Sequence, residues 1–576
     1  MRRLIYIFII GLLLCSYTWA DGSRYASNSL LSEGKWVKIR VDKTGIYKLS
    51  YADLKNMGFS DPSKVSVHGY GGWPLDEDFS KEYIDDVPST PVWRGSDYLL
   101  FYGKGSVKWE YDSSSQTFVH TNNPYSLYGY YFVTDATPTN DMTSVAQASG
   151  ASTRITTYDD YLLHEQELVS VNQSGREFFG EDFSGARPRT ISTFSSIPGI
   201  TDADGKVTMR FISRINSGSG TASLSINDSE LLDITIPSIQ TVSSNVRSYT
   251  KAIPGTTTAL WKGSKSEKNN VVVSYSSSGH TNVRLDYIRM QFVRTLRPYG
   301  ACTFFRSLTS VGNASRFVIS EANSNTLVFD VTDALNVKRV EADLNGSELS
   351  FTIPAGRLRE FVLVQTNQTF PSPEVVGEVA SSNLHGLEQR DMIIISAPSL
   401  VQQAERLAVA HREKDGLTVE VVTPEAIYNE FSSGTPDATA YRRLMKMFYD
   451  RSSSLGNPPK YLLLFGDGIY DNRGISGEVQ GVSRSNMLLT FQSQESLNVY
   501  SYATDDYFAF LEDNSGSNFS RDKMCVGVGR FPIRTVTEAT QMVDKTISYM
   551  ENKDSGSWKN NVTFVADDGN NEDSFT

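Results

Sequence analysis

The groups able to do chemistry in this chain are carboxylates and a lone thiol, and they crowd into its last third. One loop holds Asp467, Asp471 and Asn472, a second holds Asp567, Asp568, Asn570, Asn571, Glu572 and Asp573, and between them stand Asp505, Asp506 and Cys525. Such loops carry the hard oxygen ligands that calcium takes, with Asp467, Asp471, Asp567 and Asp568 as the candidate ligands. Neither loop follows EF-hand spacing, and acidic loops are commonly just solvated. Asp505 reads on loop chemistry alone as a carboxylate that satisfies backbone donors or holds calcium. Cys525 sits between Met524 and Val526 in an apolar strand pattern, and Cys302 precedes Thr303-Phe304-Phe305, so both read as buried, inert thiols. The six histidines are scattered singly without zinc spacing, which disfavours a zinc enzyme.

The elements that must position these groups begin at Asp391. Short apolar runs, Met392-Ile393-Ile394-Ile395, Thr418 to Val422 and Tyr461-Leu462-Leu463-Leu464-Phe465, alternate with helical stripes, the rhythm of a mainly parallel α/β domain. Ser399 is placed to cap a helix bearing Leu400, Ala404, Leu407 and Ala408. Asp437 opens another with Tyr441, Leu444, Met447 and Phe448 on one side, and a third starts near Thr537 with Ala539, Met542, Val543, Ile547 and Met550 inward. The apolar runs end in Gly466-Asp467-Gly468 and Asp567-Asp568-Gly569, where open sheets place ligands and catalytic groups. Gly527-Val528-Gly529 leads into Arg530-Phe531-Pro532 and not into a helix, so nucleotide binding is not supported.

Upstream, 576 residues exceed one hydrophobic core, and 29 Tyr with 29 Phe favour strands. Residues 1–20 follow the export pattern: Arg2 and Arg3, an apolar stretch from Leu4 to Leu14, then Thr18-Trp19-Ala20 as the cleavage site. Cys15 follows bulky Leu14, which makes lipid anchoring the weaker reading. Residues 21–150 read as an all-β domain opening with a hairpin over Lys35–Leu49, 151–370 as a β-sandwich-like region, 371–389 with Pro371 and Pro373 as a linker, and 390–576 as the α/β domain. The net charge of -12, more negative still without Arg2 and Arg3, makes nucleic acid an improbable partner. Two cysteines after the leader are too few for a disulfide framework.

Three pieces in order, Leu464-Phe465-Gly466-Asp467-Gly468, Tyr502-Ala503-Thr504-Asp505-Asp506-Tyr507, and Val526 to Arg534 followed by a helix, resemble the gingipain cysteine peptidase family. The segment from Trp558 to Asp568, read as a strand, extends the resemblance. Asn123-Pro124-Tyr125-Ser126 and Ser174 to Glu181 resemble the sortase branch of that family, which serves the type IX secretion system. The resemblance implies β-rich domains followed by a caspase-like α/β peptidase domain. In it a cysteine thiolate attacks a peptide carbonyl and a histidine handles the proton. It implies secreted cargo with C-terminal sorting domains as substrate, anionic lipopolysaccharide or water as acyl acceptor, the shuttle protein PorV as an outer-membrane partner, and a cell-surface location. No cofactor is required. The family's Gly-His-Gly element and its cysteine are absent here and are expected after Thr576, so this chain alone is expected to be inactive. Asp505 matches the position of an acidic residue in arginine-specific members, which would line the first specificity pocket. The rival from another class is a noncatalytic surface binding protein with a degenerate α/β domain.

Overall fold

The computed structural model describes residues 24–564 apart from 82, 186, 240–249, 278–279, 478–483, 499 and 553–554; the leader and Asp567 and Asp568 lie outside them. The β units are nested inside one another. The outermost is built on Trp36–Val41, which pairs antiparallel with Gly129–Thr134 on one side and Glu374–Glu378 on the other. Gly45–Ser50 does not fold back on Trp36–Val41 as the expected hairpin, but pairs with Tyr98–Gly103 in a second sheet. The intervening turn is a corner between sheets. Val37, Ile39 and Val41 meet Tyr47 and Leu49 in the core between them, and the same alternation serves a corner as well as a hairpin.

After Gly129–Thr134 the chain leaves this unit and returns only at Glu374–Glu378. The excursion builds one sandwich from residues 144–155 and 302–365, whose core stacks Phe305, Phe317, Phe351 and Phe361 with ring centroids 5.2 to 6.3 Å apart. Between Ile155 and Cys302 a second excursion builds another sandwich. Its sheets are Thr157–Glu165, His280–Thr295, Gly205–Ile215 and Ile253–Trp261, and Arg189–Thr190, Val271–Ser276, Ser219–Ile226 and Ser229–Pro237. The region read as one sandwich is therefore two. The segment 371–389, read as a linker, contains an edge strand of the first sheet; Pro371 and Pro373 mask it, and Glu374, Val375, Val376 and Glu378 are exposed as an edge allows.

The α/β unit carries four parallel strands in the spatial order Val419–Val422, Met392–Ser396, Tyr461–Phe465, Gly527–Phe531. Ile393, Ile394 and Ile395 are fully buried, as strands covered on both faces must be. Val401–Lys414 packs on Val536–Met550, and Pro424–Phe431 on Ala438–Leu455. Because the first crossover steps one way and the next steps back past the starting strand, right-handed connections put the helix pairs on opposite faces. In such a strand order the crevice position falls at the carboxyl ends of Met392–Ser396 and Tyr461–Phe465. Thr535 and Glu538 form a capping box on the last helix, and Asp437 caps Ala438–Leu455 by accepting from Thr439 N. Ser399 is no cap: the helix begins at Val401 after a 3-10 turn, and the Ser399 hydroxyl donates to Asn486.

Both sides of Ala438–Leu455 are buried as far as Phe448. Its apolar stripe faces the sheet core, and its charged residues face the outer β unit with partners supplied. Arg442 donates to the carbonyls of Phe510 (2.6 Å), Glu77 (2.7 Å) and Ser515 (2.7 Å). Lys446 lies 2.7 Å from both Asp450 and Asp513, and the Tyr25 hydroxyl donates to Asp450. Charges buried this deeply persist only when paired, so the helix bolts the two units together.

Candidate active-site crevice

At the carboxyl edge of the sheet, the strands Tyr461–Phe465 and Gly527–Phe531 stay joined beyond their ends: Gly466 N donates to Phe531 O (3.2 Å) and Asp467 N to Ile533 O (3.0 Å). That fixes Asp467 beside Arg534, whose Nε donates to the Asp467 carboxylate at 2.5 Å, while the other carboxylate oxygen accepts from Gly468 N. The bond to Asp467 holds the half-exposed Arg534 firmly in its charged form.

Two residues before the end of the edge strand's turn into Pro532, Arg530 donates from Nε and Nη2 to Asp505 at 2.9 and 2.8 Å, and from Nη1 and Nη2 to the carbonyls of Gly466 and Leu489. This two-pronged pair brings the segment carrying Asp505 against the strand ends, and it engages both Asp505 oxygens. A basic substrate side chain at Asp505 would have to compete with Arg530.

Asp471 does not face the crevice. It is fully buried and accepts from the backbone N–H of Gly474 (2.8 Å), Ile475 (3.0 Å) and Ser476 (2.7 Å) and from the Ser476 hydroxyl. Burial alone would raise its carboxyl, but these donors and the nearby Arg484 hold it below the ordinary carboxylate range. Asp467 and Asp471 do not fit a calcium site, because N–H donors take the oxygens a cation would need. Among the described residues no three acidic, His or Cys side chains converge on one point.

The thiols lie elsewhere. Cys525 precedes the strand Gly527–Phe531 and is only partly buried against the α/β core, in place of the fully buried strand position read from its neighbours. Since the strand starts two residues later, Cys525 lies at the amino edge of the sheet, opposite the crevice. Cys302 is in the strand Cys302–Phe305, and burial pushes its thiol up to about 12. The described histidine side chains bond to carboxylates, a carbonyl or hydroxyls: His385 to Glu430 and Asp85, His411 to Asp415, His120 to Glu165, His164 to Glu181 and Thr193, and His68 to Val87 O, Ser66 and Thr137. Beyond the last helix, Ser557–Asn560 forms a 3-10 turn, and the described residues 561–564 form no strand, with Val562 and Phe564 exposed.

Sequence reasoning brought Asp467 and Asp505 to this edge but missed Arg530 and Arg534, which fix them there. The available signal was an arginine inside an otherwise small and apolar run, Gly527 to Ile533, which needs an acidic partner when its strand is half covered. The result is a sheet edge at which two carboxylate–guanidinium pairs fix Asp467 and Asp505. Among the described residues no thiol and histidine share it.

A parallel sheet in this strand order, with polar groups at its carboxyl edge, has the architecture of an open α/β domain. Residues 385–576 match peptidase family C25, and the α/β domain belongs to that family, the gingipain type. Across the whole chain, the crystal structure of dimeric latent PorU from Porphyromonas gingivalis is similar, with 37% identity and a TM-score of 0.84 over 94% of this chain and 52% of that one. The chain thus spans about half the length of PorU. A glucanotransferase from Paenibacillus sp. (9% identity, 38% of this chain and 48% of that chain, TM-score 0.11) and the endotoxin Cry8Ea1 from Bacillus thuringiensis (8%, 44% and 54%, 0.13) are too distant to bear on fold or function. No curated protein matches.

Proposed function

We propose that this chain belongs to a cell-surface sortase of the type IX secretion system, a cysteine peptidase that removes C-terminal sorting domains from exported cargo. The observation that supports this most is the fold match to PorU across both the β units and the peptidase domain. In this reading a cysteine thiolate attacks the scissile carbonyl, a histidine passes the proton to the departing amine, and the thioester is resolved by an amine on anionic lipopolysaccharide or by water. The reactive pair is sought downstream of Thr576. Residues 1–20 would direct export, and PorV would hold the enzyme at the outer membrane. Among the described residues no helix is long and apolar enough to cross a membrane.

The carboxyl-edge crevice would receive the extended cargo strand, with Arg534 at its rim and Asp505 beneath Arg530. The test is cargo processing by the protein translated through its full reading frame. Cys525→Ser and Cys302→Ser should leave processing intact, whereas replacing a cysteine downstream of Thr576 should stop it. A reading frame that encodes no downstream Gly-His-Gly and cysteine, or loss of processing in Cys525→Ser, would refute the assignment.

A further inference from the structure

Aromatic side chains line a cavity of about 540 Å³ where the three β units meet. The outer unit gives Trp73, Tyr102 and Trp109, the innermost sandwich gives Tyr158 and Tyr161, and the sandwich around it closes the wall with Arg306 and Glu360. Trp109 stacks on Tyr161 with ring centroids 4.0 Å apart, and the Arg306 guanidinium lies 4.4 Å from the Tyr161 centroid, so one group of planar side chains joins all three units. Trp73 gives one face to the Lys104 ammonium at 4.4 Å. Yet Trp73, Trp109, Tyr161 and Tyr299, all in the lining, are only partly buried. Large rings left partly open at a junction between units are apolar surface that the fold itself does not use.

The charges around those rings narrow the class of ligand. Three acidic and three basic side chains line the cavity, so it is neutral overall. Arg294 donates to Asp160 at 2.8 Å, and Arg306 to Glu360 at 2.7 Å. A charged ligand would find no uncompensated opposite charge and would have to compete with pairs already made. A purely apolar ligand would strip water from those pairs without replacing its hydrogen bonds. A ligand bearing hydroxyls avoids both costs, because a paired carboxylate keeps free lone pairs and a paired guanidinium keeps free N–H groups. Aromatic faces beside groups that donate and accept together match a pyranose ring. Its C–H face is attracted by the negative face of an aromatic ring, and its edge carries hydroxyls that donate and accept at once. The volume lies within the range of small-molecule sites.

We propose that this junction cavity binds a neutral oligosaccharide, with sugar rings against Trp73 and Trp109 and hydroxyls bonded to the Arg294–Asp160 and Arg306–Glu360 pairs. Every lining residue belongs to the β units, so the site is separate from the sheet edge that holds Asp467 and Asp505 and does not rest on the peptidase reading.

The test is saturation-transfer NMR and calorimetric titration of the chain with maltotriose, cellotriose and triacetylchitotriose, with adenosine as a flat neutral control. Saturable binding of at least one trisaccharide is expected, with the same affinity at low and high salt, because no net charge is paired. Trp109→Leu should weaken it roughly tenfold or more. Trp73→Leu, in a loop, carries the same expectation and keeps the test open if Trp109→Leu does not fold, which melting temperatures will show. Lys43→Gln, an exposed residue of the lining, should leave the affinity unchanged. No saturable binding of any of the three sugars, binding of adenosine alone, an affinity that falls with added salt, or wild-type affinity in a folded tryptophan variant would each overturn the site.

Discussion

Alkaline pH should loosen the join between the α/β unit and the outer β unit, through one imidazole. His385 is 1% exposed; its Nδ1 lies 2.7 Å from Glu430 and its Nε2 3.0 Å from Asp85, which belongs to the outer unit. Burial by itself lowers the imidazole, but hydrogen bonds and charge from Asp85 and Glu430 override it and push the group up to about 9. Glu430, fully buried, also accepts from Leu384 N and His385 N and from the Ser382 hydroxyl, so the segment is clasped only while the charges match. A rise from 6.5 to about 9 is worth at most about 3 kcal/mol. Since the folded value lies above the unfolded one, this stabilisation is complete below about pH 6.5 and is lost as pH climbs through about 9. Urea unfolding followed by circular dichroism between pH 6 and pH 10 should show this loss in the wild type. In His385→Gln the stability at neutral pH should be lower and that part of the pH dependence absent. Parallel pH profiles for the two proteins would refute the reasoning.

Asp471→Ala leaves three part-buried N–H groups without their acceptor, costing about 1–3 kcal/mol within that loop, and limited trypsin digestion should then cut at Arg473, which the wild type protects. A double-mutant cycle on Asp505→Asn and Arg530→Gln should return a coupling of about 1 kcal/mol in urea unfolding, discounted for partial exposure; a value near zero would remove the pair as a positioning device. Gly69→Ala should destabilise by about 1–3 kcal/mol in the same assay. Gly69 has φ 115°, and an added Cβ would meet the Ser433 hydroxyl at 2.4 Å across the junction between units; wild-type stability would contradict that packing.

The α/β unit was legible because strands buried on both faces declare themselves as unbroken apolar runs, and Met392 to Ile395 and Tyr461 to Phe465 are such runs. Asp437 was legible as a cap for the same local reason: its partner, Thr439 N, is two residues away. Partners distant in sequence were not legible. Alternation in Trp36–Val41 fixes which side chains point inward, but not that its neighbours would be Gly129–Thr134 and Glu374–Glu378. The pairing of Arg530 with Asp505 likewise joins residues 25 apart whose meeting depends on the sheet. The partners of the charged residues of Ala438–Leu455 were not legible either, because composition does not distinguish a solvated charge from one buried against Glu77 or Asp513.

The nesting of the β units dictates an order of completion. A chain that emerges amino end first presents Trp36–Val41 early, yet that strand keeps one edge open until Glu374–Glu378 arrives more than three hundred residues later. The innermost sandwich, which ends at Thr295, can close before the one around it, and the outermost sheet closes last of the three. A polypeptide threaded through an envelope would thus carry an unsealed strand edge for most of its passage, a surface that a chaperone must shield or a neighbouring copy could capture.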